Sequence, residues 1–95
     1  MVEFEWDEAN LRHVLEESPR GVTPLLVRAI GDGAPKFFAN RPGEGRSGSH
    51  VMIGPDLDGR LWTIVLLHVP DEVWRPITGW PSTGRELRLY WEDNE

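Results

Sequence analysis

The chain has 95 residues, a net charge of −6 and no cysteine. That length fits a single domain over residues 1–95, burying roughly 60–65% of its unfolded surface, and the missing cysteines exclude a disulfide framework and cysteine zinc sites. The acidic balance opposes general nucleic-acid binding and favours a basic protein partner.

In chain order, "VEFEW" alternates apolar and charged residues and predicts a short strand. Asp7 stands where a helix N-cap belongs, and "EANLRHVLEES" follows with Leu11, Val14 and Leu15 as the buried stripe. Ser18 to Gly21 ends that helix. Thr23-Pro24 is an N-cap followed by proline at the first helical position, and "LLVRAI" is a second helix stopped by Gly31-Asp32-Gly33. "KFFANR" predicts a strand, and Pro42 to Ser49 a mobile loop. "HVMIG" and "RLWTIVLLHV" flank a turn at Asp58-Gly59, a hairpin signal. After a turn at Pro70-Asp71, "EVWRPITG" is a further strand, at an edge or bulged at Pro76, which ends near Thr78.

Gly79 then frees the backbone to turn, and Thr83 with Glu86 forms a capping box that starts the last helix. Leu87, Tyr90 and Trp91 share one face of it, spaced to pack on the sheet. The order predicts an α+β domain: an antiparallel β-meander of about four strands, with two N-terminal helices and a C-terminal helix packed on one face. "MVEFEWDEAN" lacks the basic and apolar stretches of a signal peptide, and "TIVLLHV" is far too short for a membrane span. A soluble cytoplasmic protein with no membrane contact is therefore expected.

Several stretches carry a family likeness. They are Phe4-Glu5-Trp6-Asp7-Glu8-Ala9-Asn10, then Arg12-His13, then "VMIGPDLDGRLWTIVL", and finally "PITGWPSTGRELRLY". In this order they resemble the BrnT family of type II toxins, small RelE-like ribonucleases neutralised by a BrnA-type antitoxin. The likeness touches both ends and the second half; residues 22–49 show little of it. It implies a toxin component of a toxin–antitoxin system, cleaving mRNA without a metal or other cofactor. A small antitoxin would be the partner, with RNA or the ribosome as target. The alternative is a catalytically inactive BrnT-like protein-interaction domain. Three positions depart from the family pattern. Arg12 replaces the lysine of a Lys-His pair, Trp80 replaces an arginine at the end of the last strand, and Leu87 replaces an arginine in the last helix.

Cleavage through the 2′-hydroxyl needs a base, a cation for the phosphate and an acid for the leaving oxygen. His13, Arg12, Arg85 and Arg88 are the candidates, provided the terminal helix presents its two guanidinium groups toward His13. Arg85 and Arg88 lie three apart on one helix face and either clamp a phosphate or are simply solvated, or paired with an acid such as Glu92. His13 is either the general acid or base or an ordinary helix-packing residue. Trp74 and Trp80 either stack on bases or serve as core or interface residues. A small-molecule site on the tryptophan-rich face is a third reading. His50 and His68 fall on predicted strands, and the three histidines show no short ligand spacing, so no metal site is expected. Asp56 and Asp58 belong to turn chemistry, and Ser47 and Ser49 have no nucleophile elbow around them. The oligomeric state is open.

Overall fold

The computed structural model describes residues 3–17, 22–39, 49–69 and 73–92, without the side chains of residues 13, 16 and 17. The expected helix stop at Ser18–Gly21, the loop at residues 42–48 and the turn at Pro70–Asp71 lie outside the described residues. The elements are β1 (Glu3–Phe4), α1 (Glu8–Glu17), α2 (Pro24–Asp32), β2 (Lys36–Ala39), β3 (His50–Pro55), β4 (Leu61–Val69), β5 (Val73–Pro81) and α3 (Gly84–Glu92). One sheet runs in the order β1-β5-β4-β3-β2. Strands β2 to β5 form the expected antiparallel meander, and β1 adds a short parallel pairing, Glu3 with Val73 and Phe4 with Trp74.

Local chemistry sets the helix starts. The Asp7 carboxylate accepts from the Asn10 backbone N–H at 3.0 Å, and the Asn10 side-chain oxygen accepts from Asp7 N–H at 2.7 Å. That reciprocal pair satisfies two donors that α1 would otherwise leave bare. The Asn10 amide also donates to the carbonyls of Glu5 and Pro76, both at 3.0 Å. One side chain thus caps α1 and fastens it to β5. The threonine hydroxyl of Thr23 accepts from Leu26 N–H at 3.1 Å, with Pro24 in the first turn of α2.

The β3–β4 hairpin turns at Gly59, whose φ of 85° is left-handed. Asp56 shapes this turn by accepting from the backbones of Asp58 and Arg60. Strand β5 does not stop near Thr78 as expected; it runs through Gly79 to Pro81. Glycine is needed at 79 for packing rather than turning, because a Cβ there would stand 2.6 Å from Ile64 Cδ1. Pro76 sits beside a register shift between Val65 and Leu66, where β4 pairs Val65 with Thr78 and Leu66 with Pro76. The bulge leaves Ile77 over and absorbs the proline, which has no N–H to donate.

Adjacent strand residues point to opposite faces, and they divide the core in two. Val14, Val22, Val27, Ile30, Met52, Trp62, Ile64 and Leu66 form one cluster under α1 and α2. Ile53, Leu61 and Tyr90, with Phe38 and Val51 against them, form the other under α3. The helices therefore cover both faces, correcting the expectation of one face. Leu61 to Leu66 are all buried, as a strand covered on both sides must be. Two further expectations change. Leu15 is 52% exposed, so the α1 stripe is Val14 flanked by half-buried Leu11. Of the expected α3 face only Tyr90 is buried: Leu87 is 36% and Trp91 60% exposed, because α3 turns the line of Glu86 and Tyr90 to the sheet and Leu87 and Trp91 each lie a hundred degrees round the helix from it. Among the described residues no helix is long and apolar enough to cross a membrane.

Candidate functional site

The proposed catalytic residues divide between the two faces. Arg12 and His13 belong to α1, whose Val14 packs into the cluster shared with α2. Arg12 is exposed and faces Glu8 at 3.6 Å, an ordinary pair one helical turn apart. The His13 side chain lies outside the described residues. Arg85 and Arg88 belong to α3, whose Tyr90 packs into the cluster on the other face. Both are exposed and line a shallow cleft with Leu89 and Glu92. Neither forms an ion pair within 4.0 Å among the described residues. The sheet lies between α1 and α3, so Arg85 and Arg88 stand on the helix of the opposite face from Arg12.

Trp80 has structural work. Its indole N–H donates to Glu86 Oε1 at 3.0 Å, the same oxygen that accepts from Thr83 N–H at 2.9 Å and from the Thr83 hydroxyl at 2.8 Å. The expected Thr83–Glu86 pairing is thus present, made by Glu86 accepting from both the Thr83 N–H and its hydroxyl, and it carries an extra donor. Burial alone would raise the Glu86 pKa, but these hydrogen bonds favour the carboxylate and hold it below its ordinary value. Where the family pattern has an arginine, this chain has a side chain that anchors the start of α3.

Arg75, which sequence reasoning passed over, bridges Glu5 at 3.0 Å and also binds Asp7. It joins β5 to the segment between β1 and α1. The Asn10 backbone N–H first, and Arg75 second, hold the Asp7 pKa below its ordinary value. Nothing in the sequence marks Arg75 for this role, since its partners lie about seventy residues away.

At the other end of the α1 and α2 face, Trp74 anchors a ring cluster. Its indole stacks on Phe37 with centroids 4.9 Å apart and lies 4.4 Å from His68 and 5.1 Å from His50. The two imidazole centroids are 5.9 Å apart. Ser49 sits beneath them: its hydroxyl is 2.9 Å from His50 Nδ1 and accepts the His68 backbone N–H at 2.9 Å. His50 is half-buried and His68 exposed. Trp74 therefore meets its own neighbours' rings, which favours packing over base stacking. The three residues come from β3, β4 and β5, so no short spacing could announce them.

No protein-family model matches the chain, nor does any curated protein or any solved structure. The likeness to the BrnT toxins rests on the motifs quoted from the sequence.

Proposed function

We infer that this chain is a BrnT-like protein-interaction domain without ribonuclease activity, holding a small antitoxin-type partner through a basic or amphipathic segment. One observation carries this: the helix of Arg12 and His13 and the helix of Arg85 and Arg88 pack on opposite faces of the sheet. Phosphoryl transfer without a metal needs its acid, base and cations around one phosphate. The net charge of −6 supports the same reading, because it suits a basic protein better than an RNA backbone. Expressing the chain alone tests it. Normal growth, intact RNA after incubation with the purified protein, and no change in either on His13→Ala or Arg85→Ala are expected. Growth arrest relieved by either substitution would overturn it.

The second reading is the toxin itself, an endoribonuclease acting on mRNA, free or on the ribosome. It is favoured by Arg85 and Arg88, two exposed guanidinium groups lining one cleft, with no ion pair among the described residues. RNA cleavage by the pure chain, abolished in Arg85→Ala, would select it.

A further inference from the structure

We propose that His50 and His68 form a binding site for a borderline divalent transition metal of the zinc and nickel type. The site is independent of the interaction role and of the arginines on α3.

The geometry comes from the hairpin. His50 pairs with Leu66 across β3 and β4, and His68 lies two residues on, on the same face. The imidazoles are thus diagonal neighbours, with centroids 5.9 Å apart. Two imidazoles bound to one tetrahedral ion, with metal–nitrogen bonds near 2.0–2.1 Å, have centroids roughly 5–6 Å apart. The spacing already suits a shared ion.

Hydrogen bonding prepares the ligands. The Ser49 hydroxyl has two lone pairs, and one takes the His68 backbone N–H at 2.9 Å. The other can take the proton of His50 Nδ1, 2.9 Å away. That arrangement sets the tautomer with a bare lone pair at His50 Nε2, as the outer partner of a metal-bound histidine does. Among the described residues, His50 Nε2 and both ring nitrogens of His68 have no hydrogen-bond partner. Trp74, backed by Phe37, lies against both imidazoles and limits their freedom to rotate. No group of three His, Cys, Asp or Glu occurs among the described residues, so water completes the coordination. Imidazole ligands of this kind suit zinc, nickel and copper rather than magnesium or calcium.

The test titrates tag-free full-length chain with zinc chloride, and separately nickel chloride, by calorimetry at neutral pH. Saturable binding of one ion per chain is expected, weakened at least roughly tenfold in His50→Gln and in His68→Gln, and unchanged in His13→Gln. Ser49→Ala should weaken it while leaving both imidazoles in place. Circular dichroism of each variant separates loss of the site from loss of the fold. In the unaltered protein, paramagnetic nickel should broaden the ring-proton resonances of His50 and His68 before those of His13. Absence of saturable binding, binding that survives either His50→Gln or His68→Gln in a folded variant, or broadening centred on His13 would overturn the proposal and leave the pair as ring packing alone.

Discussion

Trp80 and Glu86 are joined by a 3.0 Å hydrogen bond from the indole N–H to the carboxylate that caps α3. Trp80, one of the three departures from the toxin pattern, is thereby part of the fold's own scaffold. Glu86→Ala removes the acceptor of three bonds at the start of α3. It should lower stability by about 1 kcal/mol, in the range for loss of a helix cap. Urea denaturation followed by tryptophan fluorescence measures it. Trp80→Arg, which puts the arginine of the BrnT pattern at this position, should destabilise the protein and produce no RNA cleavage; cleavage by that variant would overturn the inactive reading.

Asn10→Ala should be costlier. Asn10 is 6% exposed, and its side-chain amide donates to the carbonyls of Glu5 and Pro76 and accepts from the Asp7 N–H. Alanine leaves a buried acceptor at Pro76 unpaired, a loss of about 1–3 kcal/mol, while the Asp7 cap stays, because alanine keeps the backbone N–H that Asp7 binds. A lower urea midpoint with an unchanged slope is the expected signature; an unchanged midpoint would show that water replaces the amide.

Stability should fall in acid. The carboxyls of Asp7, Asp56 and Glu86 all lie below their ordinary values of 3.8 for aspartate and 4.5 for glutamate. For Asp56, burial opposes the shift, and the bonds from Trp62 and the turn backbone outweigh it. A carboxyl with a depressed folded-state pKa contributes stability that is present above its ordinary value and lost as pH falls through the lower, folded value. The melting temperature should therefore lose these contributions below about pH 4.5, the upper of the ordinary values. Asp56→Asn should flatten the acid limb. A melting temperature rising through that window would contradict the assigned hydrogen bonds.

Arg85→Glu and Arg88→Glu should each leave stability within about 0.5 kcal/mol, because both side chains are exposed and unpaired among the described residues. Any effect on partner binding or RNA cleavage then reads function rather than folding. A large stability loss would mean that α3 uses these arginines structurally.

Met52→Ala tests the division of the core. Met52 is fully buried in the cluster under α1 and α2, whereas its neighbour Ile53 lies in the cluster under α3. A loss of about 2–5 kcal/mol is expected from either Met52→Ala or Ile53→Ala. A negligible cost for Ile53→Ala would mean that α3 does not close the second face.

Much of the architecture was written locally. Asp7, Thr23 and Thr83 each start a helix by a bond to a residue three positions on, and Asp58-Gly59 turns with the help of Asp56 two residues earlier. Such contacts need no tertiary partner, so residue order alone reveals them. The run Leu61 to Leu66 also carried the sign that both faces are covered, in being apolar without alternation. Which helix covers which face was decided elsewhere. The side of the sheet that α3 reaches depends on the end of β5 and on which two residues of the helix turn inward. For that reason chain order did not show that α1 and α3 lie on opposite faces of the sheet. The same holds for His50 and His68. They are eighteen positions apart in the chain, and only the register of the β3–β4 pairing lays one imidazole beside the other. Elements, caps and turns follow from residue order because they rest on neighbours within a few residues. The distances among His50, His68 and Trp74 exist only once β3, β4 and β5 are paired, because residue order holds no distance between side chains of different strands.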